Sequence, residues 1–324
     1  MGAVIDVIVS CSNRKRYPVR RNLSLRSLED GTIAQRAVRW LSRLKNTDVS
    51  GYPAESLYAG DHWSIVRSLA SSKLKTRTQA RVWVCSAGYG LIPYHALIKP
   101  YDATFARGHR DSVSLAHSLT QARSENQRWW DSLASRWKGP TPGEPRKLSD
   151  IPTVYGRTPM LVVLSSDYLA AVATDLQILL SDAYYRDHLS IISSGSDNLS
   201  TPTSQSLLPC NATMQHAVGG VRVSLNIRIA AYLLRQLGGR TATYDNMRKI
   251  CGGIKTRTLP QTGRKTLSDD AVRDFIKHEI SKDPKASRSR LLARLRKRNY
   301  ACEQSRFARL YRSLTRRHQR NAHA

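Results

Sequence analysis

Four short runs of apolar and β-branched residues recur along the chain. They are AVIDVIVS at residues 3–10, RVWVCS at 81–86, MLVVLS at 160–165 and LSIISS at 189–194. Each run ends in a small polar residue, which is typical of strands buried on both faces of a parallel sheet. Segments that favour helix separate them, at residues 32–45, 61–73, 112–137, 167–180 and 223–237. The pattern predicts an α/β fold, a three-layer sandwich around a mostly parallel sheet of about four strands.

The apolar pattern changes near a stretch rich in Gly, Thr and Lys at residues 252–270, which has the composition of a linker. We therefore expect a main domain at residues 1–255 and a basic helical domain at residues 256–324. Residues 264–324 hold 18 Lys and Arg against 6 Asp and Glu. Ser268 with Asp269, and Ser287, are suited to cap two helices, and a third is expected over residues 304–317.

The expected helices of this second domain have apolar faces at helical spacing, formed by Leu291, Leu292, Leu295, Phe307, Leu310, Tyr311 and Leu314. The short link NYACE between the last two helices predicts a helix-turn-helix-like arrangement. Residues expected to face a DNA groove are Gln304, Ser305, Arg306 and Arg309. Residues expected to hold phosphates are Arg288, Arg290, Arg294 and Arg298. The alternative is a solvated basic face on a helical cap.

Charge indicates the partner of the whole chain. The sequence has 52 Lys and Arg against 24 Asp and Glu, a net charge of +28. Such a field favours polyanions, so nucleic acid is the expected partner, with a ribosome-associated or merely basic protein as the alternative. The five cysteines form no C-x-x-C pair, which argues against a disulfide framework and a zinc site. Without a signal or membrane-length apolar run, we expect a cytoplasmic protein with no membrane association. No cofactor is indicated.

Polar loops follow all four predicted strands: SCSNRK, SAGYG, SSDY and SSGSDN. The carboxyl ends of parallel strands share one edge of a sheet, so we expect these loops to form one pocket. Residues of these loops suited to hold a phosphate or a sugar are Cys11, Ser12, Asn13, Lys15, Ser86 and Ser194. The Walker A pattern is absent. Cys11 could be a nucleophile, but no neighbouring residue supplies a base, and packing is the other interpretation.

A lone acid, Asp102, lies in the stiff segment CSAGYGLIPYHALIKPYDATF at residues 85–105. Tyr89 and Tyr101 could offer flat faces to a base, and Pro100 stiffens the approach to the carboxylate. Asp102 is therefore the candidate catalytic residue. The alternative is that it caps a helix or pairs with Arg107.

A further segment, CNATMQHAVGGVRVSLNIRIAAYL at residues 210–233, joins a Gly-Gly turn to a predicted helix. In it Gln215 and Asn226 could read a base edge, and Arg222 could bind phosphate or sugar. His216 is as compatible with a structural role as with a catalytic one. Glu55 and Asp61 are reserve acids whose simplest interpretation is helix capping and packing, and Asp167 is compatible with an N-cap.

The order VSCSNRK, AESLYAG, VCSAGYGLIPYHALIKPYDATF, VVLSSDY and IISSG resembles a bacterial superfamily that includes the YaaA peroxide-stress proteins and domains related to archaeosine synthase and uracil-DNA glycosylases. The resemblance spans roughly residues 3–235. With its basic tail, the chain also resembles antiviral DNA glycosylases of bacterial defence loci, which excise glucosylated hydroxymethylcytosine from phage DNA. Uracil-DNA glycosylases carry a water-positioning acid in their first-strand loop, whereas here that loop reads Cys11-Ser12-Asn13. If the chain is catalytic, the acid must come from elsewhere, and Asp102 is the best placed.

The resemblance implies a glycosylase-like domain that binds DNA and hydrolyses an N-glycosidic bond. We therefore expect a monofunctional DNA glycosylase that flips out a modified base and leaves an abasic site. No lysine is singled out as a Schiff-base nucleophile, so strand cleavage is not expected. The alternatives are a non-catalytic DNA-binding protein related to YaaA and a nucleotide-sensing transcriptional repressor.

Overall fold

The computed structural model describes residues 3–71, 78–194, 203–257, 263–284 and 286–321. The chain divides into two units, Met1–Arg257 and Thr258–Ala324. The first unit has a mixed α/β fold around a mostly parallel sheet, as the sequence predicts.

The described residues form ten strands. These are β1 Ala3–Ser10, β2 Tyr52–Pro53, β3 Thr78–Ser86, β4 Gly90–Pro93, β5 Leu97–Ile98, β6 Met160–Val163, β7 Leu189–Ile192, β8 Leu207–Leu208, β9 Lys265–Thr266 and β10 Tyr300–Ala301. The main sheet has the order β4-β3-β1-β6-β7-β8, in which only β4 runs antiparallel to its neighbour. The four predicted strands are β1, β3, β6 and β7. The expected number of about four was too low, because β4 and β8 are too short to give an apolar pattern of their own.

The central position of β1 explains its composition. Val7, Ile8 and Val9 pair with β3 on one side and β6 on the other, and all three side chains are fully buried. Burial on both faces removes the need for alternating polar residues. The exception is Asp6, a buried acid that accepts hydrogen bonds from Arg81 Nε at 2.6 Å and Trp83 Nε1 at 2.8 Å.

The described residues also form fourteen α-helices. These are α1 Ile33–Asn46, α2 Ala54–Leu57, α3 Asp61–Ala70, α4 Leu119–Arg136, α5 Ile151–Tyr155, α6 Ser166–Ala171, α7 Ala173–Ser181, α8 Ala183–His188, α9 Gln215–Val218, α10 Leu225–Leu237, α11 Tyr244–Gly252, α12 Asp269–Lys282, α13 Arg288–Lys297 and α14 Gln304–Asn321. In the first unit α1, α4 and α6 pack in one group, and α3, α10 and α11 in another.

Three predicted helices begin or divide at other residues than expected, and one of them, expected over 223–237, begins at Leu225. The helix expected over 61–73 ends at Ala70, and residues 72 and 73 lie outside the described ranges. The segment predicted over 112–137 becomes helical only at Leu119, because Ser118 caps the helix by accepting from the backbone N–H of Gln121. The segment predicted over 167–180 divides into α6 and α7 at Val172. The helix expected over 32–45 is confirmed, with Thr32 forming a capping box with Gln35.

The second unit contains α12, α13 and α14 with the short parallel pair of β9 and β10. Ser268 and Ser287 cap α12 and α13 as the sequence predicts. Its own apolar core is formed by Val272, Ile276, Ala286, Leu291, Leu292, Leu295, Cys302, Phe307 and Leu310. The link NYACE, expected to join two helices of a helix-turn-helix-like arrangement, begins at Asn299, which has a left-handed φ of 64°, and contains β10.

No single helix in the described ranges is long and apolar enough to cross a membrane. One pair bent by 86°, Ala212–Val218 with Arg222–Leu237, meets that test by length and composition.

Candidate functional site

The loops that follow β1, β3 and β6 meet at the carboxyl edge of the sheet. Ser10 lies opposite Cys85 at the strand ends, and Cys11 N donates to Cys85 O at 3.1 Å. Tyr168, at the start of α6 after β6, places its hydroxyl 3.2 Å from Cys11 Sγ. After β7, Ser193 is buried and Ser194 is exposed, and residues 195–198 of the predicted SSGSDN loop lie outside the described residues.

Asp102 is held at this edge by its backbone. Its N–H donates to Leu23 O at 2.8 Å, and its carbonyl accepts from Leu25 N at 2.9 Å. These bonds place Asp102 beside Ser24 in an isolated parallel bridge. The expected rigidity of the carboxylate therefore has a physical cause, a backbone pairing across almost eighty residues of sequence.

The Asp102 carboxylate has two cations near it and remains 23% exposed. Arg26 Nη2 donates to Oδ2 at 2.8 Å, and Ser24 Oγ donates to the same oxygen at 3.2 Å. Lys15 Nζ lies 4.0 Å from Oδ1. The alternative pairing with Arg107 does not form; the backbone N–H of Arg107 donates instead to Asp167 Oδ2 at 3.2 Å.

Lys15 is the buried cation of the site. Its side chain is 3% exposed, and its ammonium lies 4.6 Å from the centroid of the Tyr101 ring. Burial lowers the pKa of Lys15, although the charges of Cys11, Asp102 and Asp111 act to raise it. Among the described residues Nζ has no hydrogen-bond partner.

A chain of hydroxyl groups lies beneath the carboxylate. Tyr101 OH is 2.7 Å from both Tyr58 OH and Ser86 Oγ, and Ser86 Oγ accepts from Tyr89 N at 3.1 Å. Burial raises the pKa of Tyr58 and of Tyr101. The predicted stacking faces are enclosed: Tyr101 is fully buried, and Tyr89 nearly so, packed against Tyr101 and Trp137. Tyrosine in this segment fills the core with its ring and satisfies its hydroxyl there.

In the loop after β1, some side chains are buried and others are exposed. Cys11 is buried, Ser12 Oγ donates to Ala59 O at 2.9 Å, and Asn13 is exposed. Of the predicted residues, the structure thus places Lys15 next to the Asp102 carboxylate and Tyr101 in contact with both Lys15 and Ser86, while Cys11 contacts Tyr168 and Asn13 is exposed.

The segment that leads into α10 and the first turn of that helix also reach the carboxyl edge of the sheet. Asn226 Nδ2 donates to Leu164 O, just after β6, at 3.4 Å. Gln215 Nε2 donates to Gly220 O at 2.7 Å, so its amide closes the loop instead of pointing outward. Arg222 and His216 are exposed. No contact in the described residues joins Gln215 or Arg222 to Asp102.

Two features of this segment were missed by the sequence analysis. Val223 is 90% exposed and Val221 is also exposed, on either side of Arg222. An apolar residue just before a helical pattern looks like the first turn of that helix, but α10 begins only at Leu225. The loop therefore projects two apolar side chains beside a cation.

Asp61 is likewise more than a helix cap. Arg228 Nη2 contacts its carboxylate oxygens at 2.7 and 2.9 Å, and Ser224 Oγ donates to Oδ2 at 2.5 Å. These bonds fix the Val223 loop to the start of α3. Next to it, burial lowers the pKa of His62 to about 4, opposed by a hydrogen bond with the backbone of Ser10.

In the second unit the predicted DNA-binding residues fall into two groups. Arg288, Arg290 and Gln304 are exposed. The others pair with acids of the same unit, so part of their predicted phosphate-binding capacity is occupied. Arg294 and Arg298 both contact Glu279, and Arg306 and Arg309 both contact Asp269. Ser305 lies in α14, and its side chain is outside the described part of the chain.

A groove in the second unit adds basic residues that the sequence analysis did not single out. It is lined by Arg264, Thr266, Arg296, Ala301, Cys302, Glu303 and Arg306. The β9–β10 pairing brings residues 264–266 next to 300–301, which are distant in the sequence, so no local sequence pattern could have indicated the groove.

In the described ranges no group of three His, Cys, Asp or Glu side chains is placed to hold a metal ion. A scan against protein-family models finds no matching family. A search of curated proteins finds no match.

Proposed function

We propose that this chain is a DNA glycosylase that hydrolyses the N-glycosidic bond of a modified base and leaves an abasic site. The observation that carries the proposal is Asp102, a partly exposed carboxylate fixed by its backbone at the carboxyl edge of the sheet. Loss of a base develops positive charge on the deoxyribose, and a fixed carboxylate beside the sugar stabilises that charge and orients water. Because residues 11–16 contain no acid, Asp102 takes this role.

The substrate class we propose is a glucosylated hydroxymethylcytosine in phage DNA, which the chain would meet in the cytoplasm during antiviral defence. A base this large must leave the helix before the reaction, at a cost of a few kcal/mol. Exposed side chains at the carboxyl edge support this step better than the buried tyrosines do. Val223 would fill the space in the duplex, and Arg222, Asn13 and Ser194 would bind phosphate, sugar or the glucose hydroxyls.

Charge supports binding to duplex DNA without sequence preference. At +28 the chain gains affinity from counterion release at each phosphate that it neutralises. In the second unit the exposed Arg288 and Arg290 would bind the DNA backbone, and the groove that contains Arg264 and Arg296 would hold a further phosphate. We also propose that the first unit is a three-layer sandwich and that the second unit is a helix-turn-helix-like DNA-binding domain.

A second candidate is a non-catalytic DNA-binding protein. The ion pair of Arg26 with Asp102 favours it, because such a pair is typical of an acid with a structural role. The burial of the Tyr89 and Tyr101 rings favours it as well, because a buried ring cannot stack on a base. A nucleotide-sensing repressor is distinguished by preference for a short operator, which neither other candidate requires.

The experiment is an abasic-site assay on three phage DNAs, with unmodified, hydroxymethylated and glucosylated cytosine. We expect released base, and strand breaks after alkali treatment, only on the glucosylated DNA; breaks that form without alkali report any cleavage by the chain itself. Tight binding to all three without released base would favour the non-catalytic candidate.

A further inference from the structure

Lys15 is buried in a way that packing alone does not explain. It follows β1 in a loop whose neighbouring residues Arg14 and Arg16 are both exposed. A long basic side chain at a surface loop ordinarily extends its charged end into water. Lys15 instead turns inward, with its ammonium against the Tyr101 ring and no hydrogen-bond partner in the described part of the chain. An ammonium without hydrogen bonds in such a place is destabilising.

Lysine, unlike arginine, can relieve that cost by releasing its proton. Burial is the main cause that lowers the pKa of Lys15, and a desolvated amine is the form that attacks carbonyl carbon. Asp102 Oδ1 lies 4.0 Å from Lys15 Nζ, so one bound sugar can contact both the amine and the carboxylate. A nucleophilic amine and a proton acceptor therefore lie side by side.

We propose that Lys15 forms an imine with the aldehyde of an abasic site, and that the chain then cleaves the DNA strand by β-elimination. The inference rests on the proposed glycosylase function, whose product is that aldehyde. The Nζ lone pair attacks C1′, and the carbinolamine loses water to leave the C=N bond. Asp102 accepts a proton from C2′, the electron pair forms the C2′=C3′ bond, and the C3′–O bond breaks with departure of the phosphate. Water then hydrolyses the imine and frees the amine.

Arg26 is paired with Asp102, the carboxylate next to Nζ, so a bound sugar must compete with its guanidinium for Asp102. The Arg26 side chain is 35% exposed, and its guanidinium bridges Asp102 and Asp111. A phosphate group accepts paired hydrogen bonds from a guanidinium as a carboxylate does. The DNA backbone can therefore draw Arg26 away from Asp102 and leave that carboxylate open to the abasic sugar.

The test uses a duplex with one abasic site prepared beforehand by removal of uracil, incubated with the full chain and sodium borohydride. Borohydride reduces the imine to a stable amine, so we expect a covalent protein–DNA band and strand cleavage without borohydride. Peptide mapping of the wild-type adduct by mass spectrometry should place it on Lys15. Both signals should be lost in Lys15→Arg and Lys15→Met and kept in Lys45→Arg.

The outcomes separate this inference from the glycosylase proposal, because the abasic site is supplied. No adduct with this DNA, or an adduct mapped to another amine, would overturn the role of Lys15. An adduct on Lys15 together with no release of modified base would support the imine chemistry and refute the proposed glycosylase. Mapping on the wild-type chain keeps the test valid if the variants fail to fold.

Discussion

Arg26 and Asp102 form an ion pair with Nη2 2.8 Å from Oδ2, and the same guanidinium places Nε 3.3 Å from Asp111 Oδ1. Arg26 belongs to the short 3-10 helix Leu25–Ser27, so its guanidinium joins this helix to two acids of the loop between β5 and α4. A partly exposed arginine held in this way can exchange a carboxylate for a DNA phosphate without leaving the site.

Replacement of Arg26 by Gln should make DNA binding less dependent on salt. If one phosphate pairs with Arg26 in the complex, the slope of log Kd against log salt concentration should fall by about 1. Fluorescence anisotropy with a labelled duplex at several salt concentrations measures it. The matched control is Arg157→Gln, which removes the ion pair between Arg157, just before β6, and Asp182. It should leave the slope unchanged. Equal slopes for Arg26→Gln and wild type would show that Arg26 meets no phosphate.

Gly88 should tolerate no side chain. A Cβ at this position would lie 2.5 Å from two carbons of the Tyr101 ring, which is fully buried and cannot yield. We expect Gly88→Ala to lower the free energy of unfolding by about 1–3 kcal/mol. Urea denaturation followed by tryptophan fluorescence reports the first unit, which contains all six tryptophans. Gly252→Ala, where a Cβ has open space, is the control. Equal stability of the two variants would contradict this packing.

His62 should make the first unit sensitive to mild acid. Burial lowers its pKa to about 4 from 6.5, so the unfolded chain binds the proton more readily than the folded chain. The stability that this neutral histidine contributes is therefore complete above about pH 6.5 and is lost as the pH falls toward 4. Between pH 7 and pH 5 the loss amounts to about 2 kcal/mol.

The measurement is urea unfolding at both pH values for wild type, His62→Gln and the exposed control His117→Gln. The difference in the free energy of unfolding between pH 7 and pH 5 should shrink by about 2 kcal/mol in His62→Gln and stay unchanged in His117→Gln. A dependence that is unchanged in this variant would mean that another group causes it.

Val223 should matter on duplex DNA and not on single strands. An apolar side chain that fills the vacated stack offsets part of the cost of base extrusion, a cost that single-stranded DNA does not impose. We expect Val223→Ser to slow base release from a duplex by about tenfold, equivalent to about 1.4 kcal/mol. Val154→Ser, at another exposed valine, is the control. Equal slowing on both substrates would exclude a role in base extrusion.

Elements with local signals could be predicted from the sequence. The four buried strands follow from their uninterrupted apolar runs, and Thr32, Ser268 and Ser287 cap helices because capping depends on residues within one turn. The site depends on contacts between distant residues. Asp102 could be singled out by loop composition, but its partners Leu23, Leu25 and Arg26 lie almost eighty residues earlier.

The tyrosines show a second limit. Tyr101 lies in a polar loop segment that also contains Gly88 and Gly90, a composition that resembles an open stacking surface. The absence of a Cβ at Gly88 instead lets the ring enter the core. The exposure of Val223 could not be predicted, because an apolar residue is ordinarily assigned to the core.

The central claim is that Asp102 acts on the sugar as its base departs, and the rate of abasic-site formation in Asp102→Asn tests it most directly. The control is Asp167→Asn, which changes another acid at a strand exit, one that accepts from Arg107 N. On glucosylated DNA we predict a fall of at least about 100-fold for Asp102→Asn, unchanged DNA affinity, and a wild-type rate for Asp167→Asn. A wild-type rate in Asp102→Asn, or no abasic sites from the wild-type protein itself, would contradict the claim.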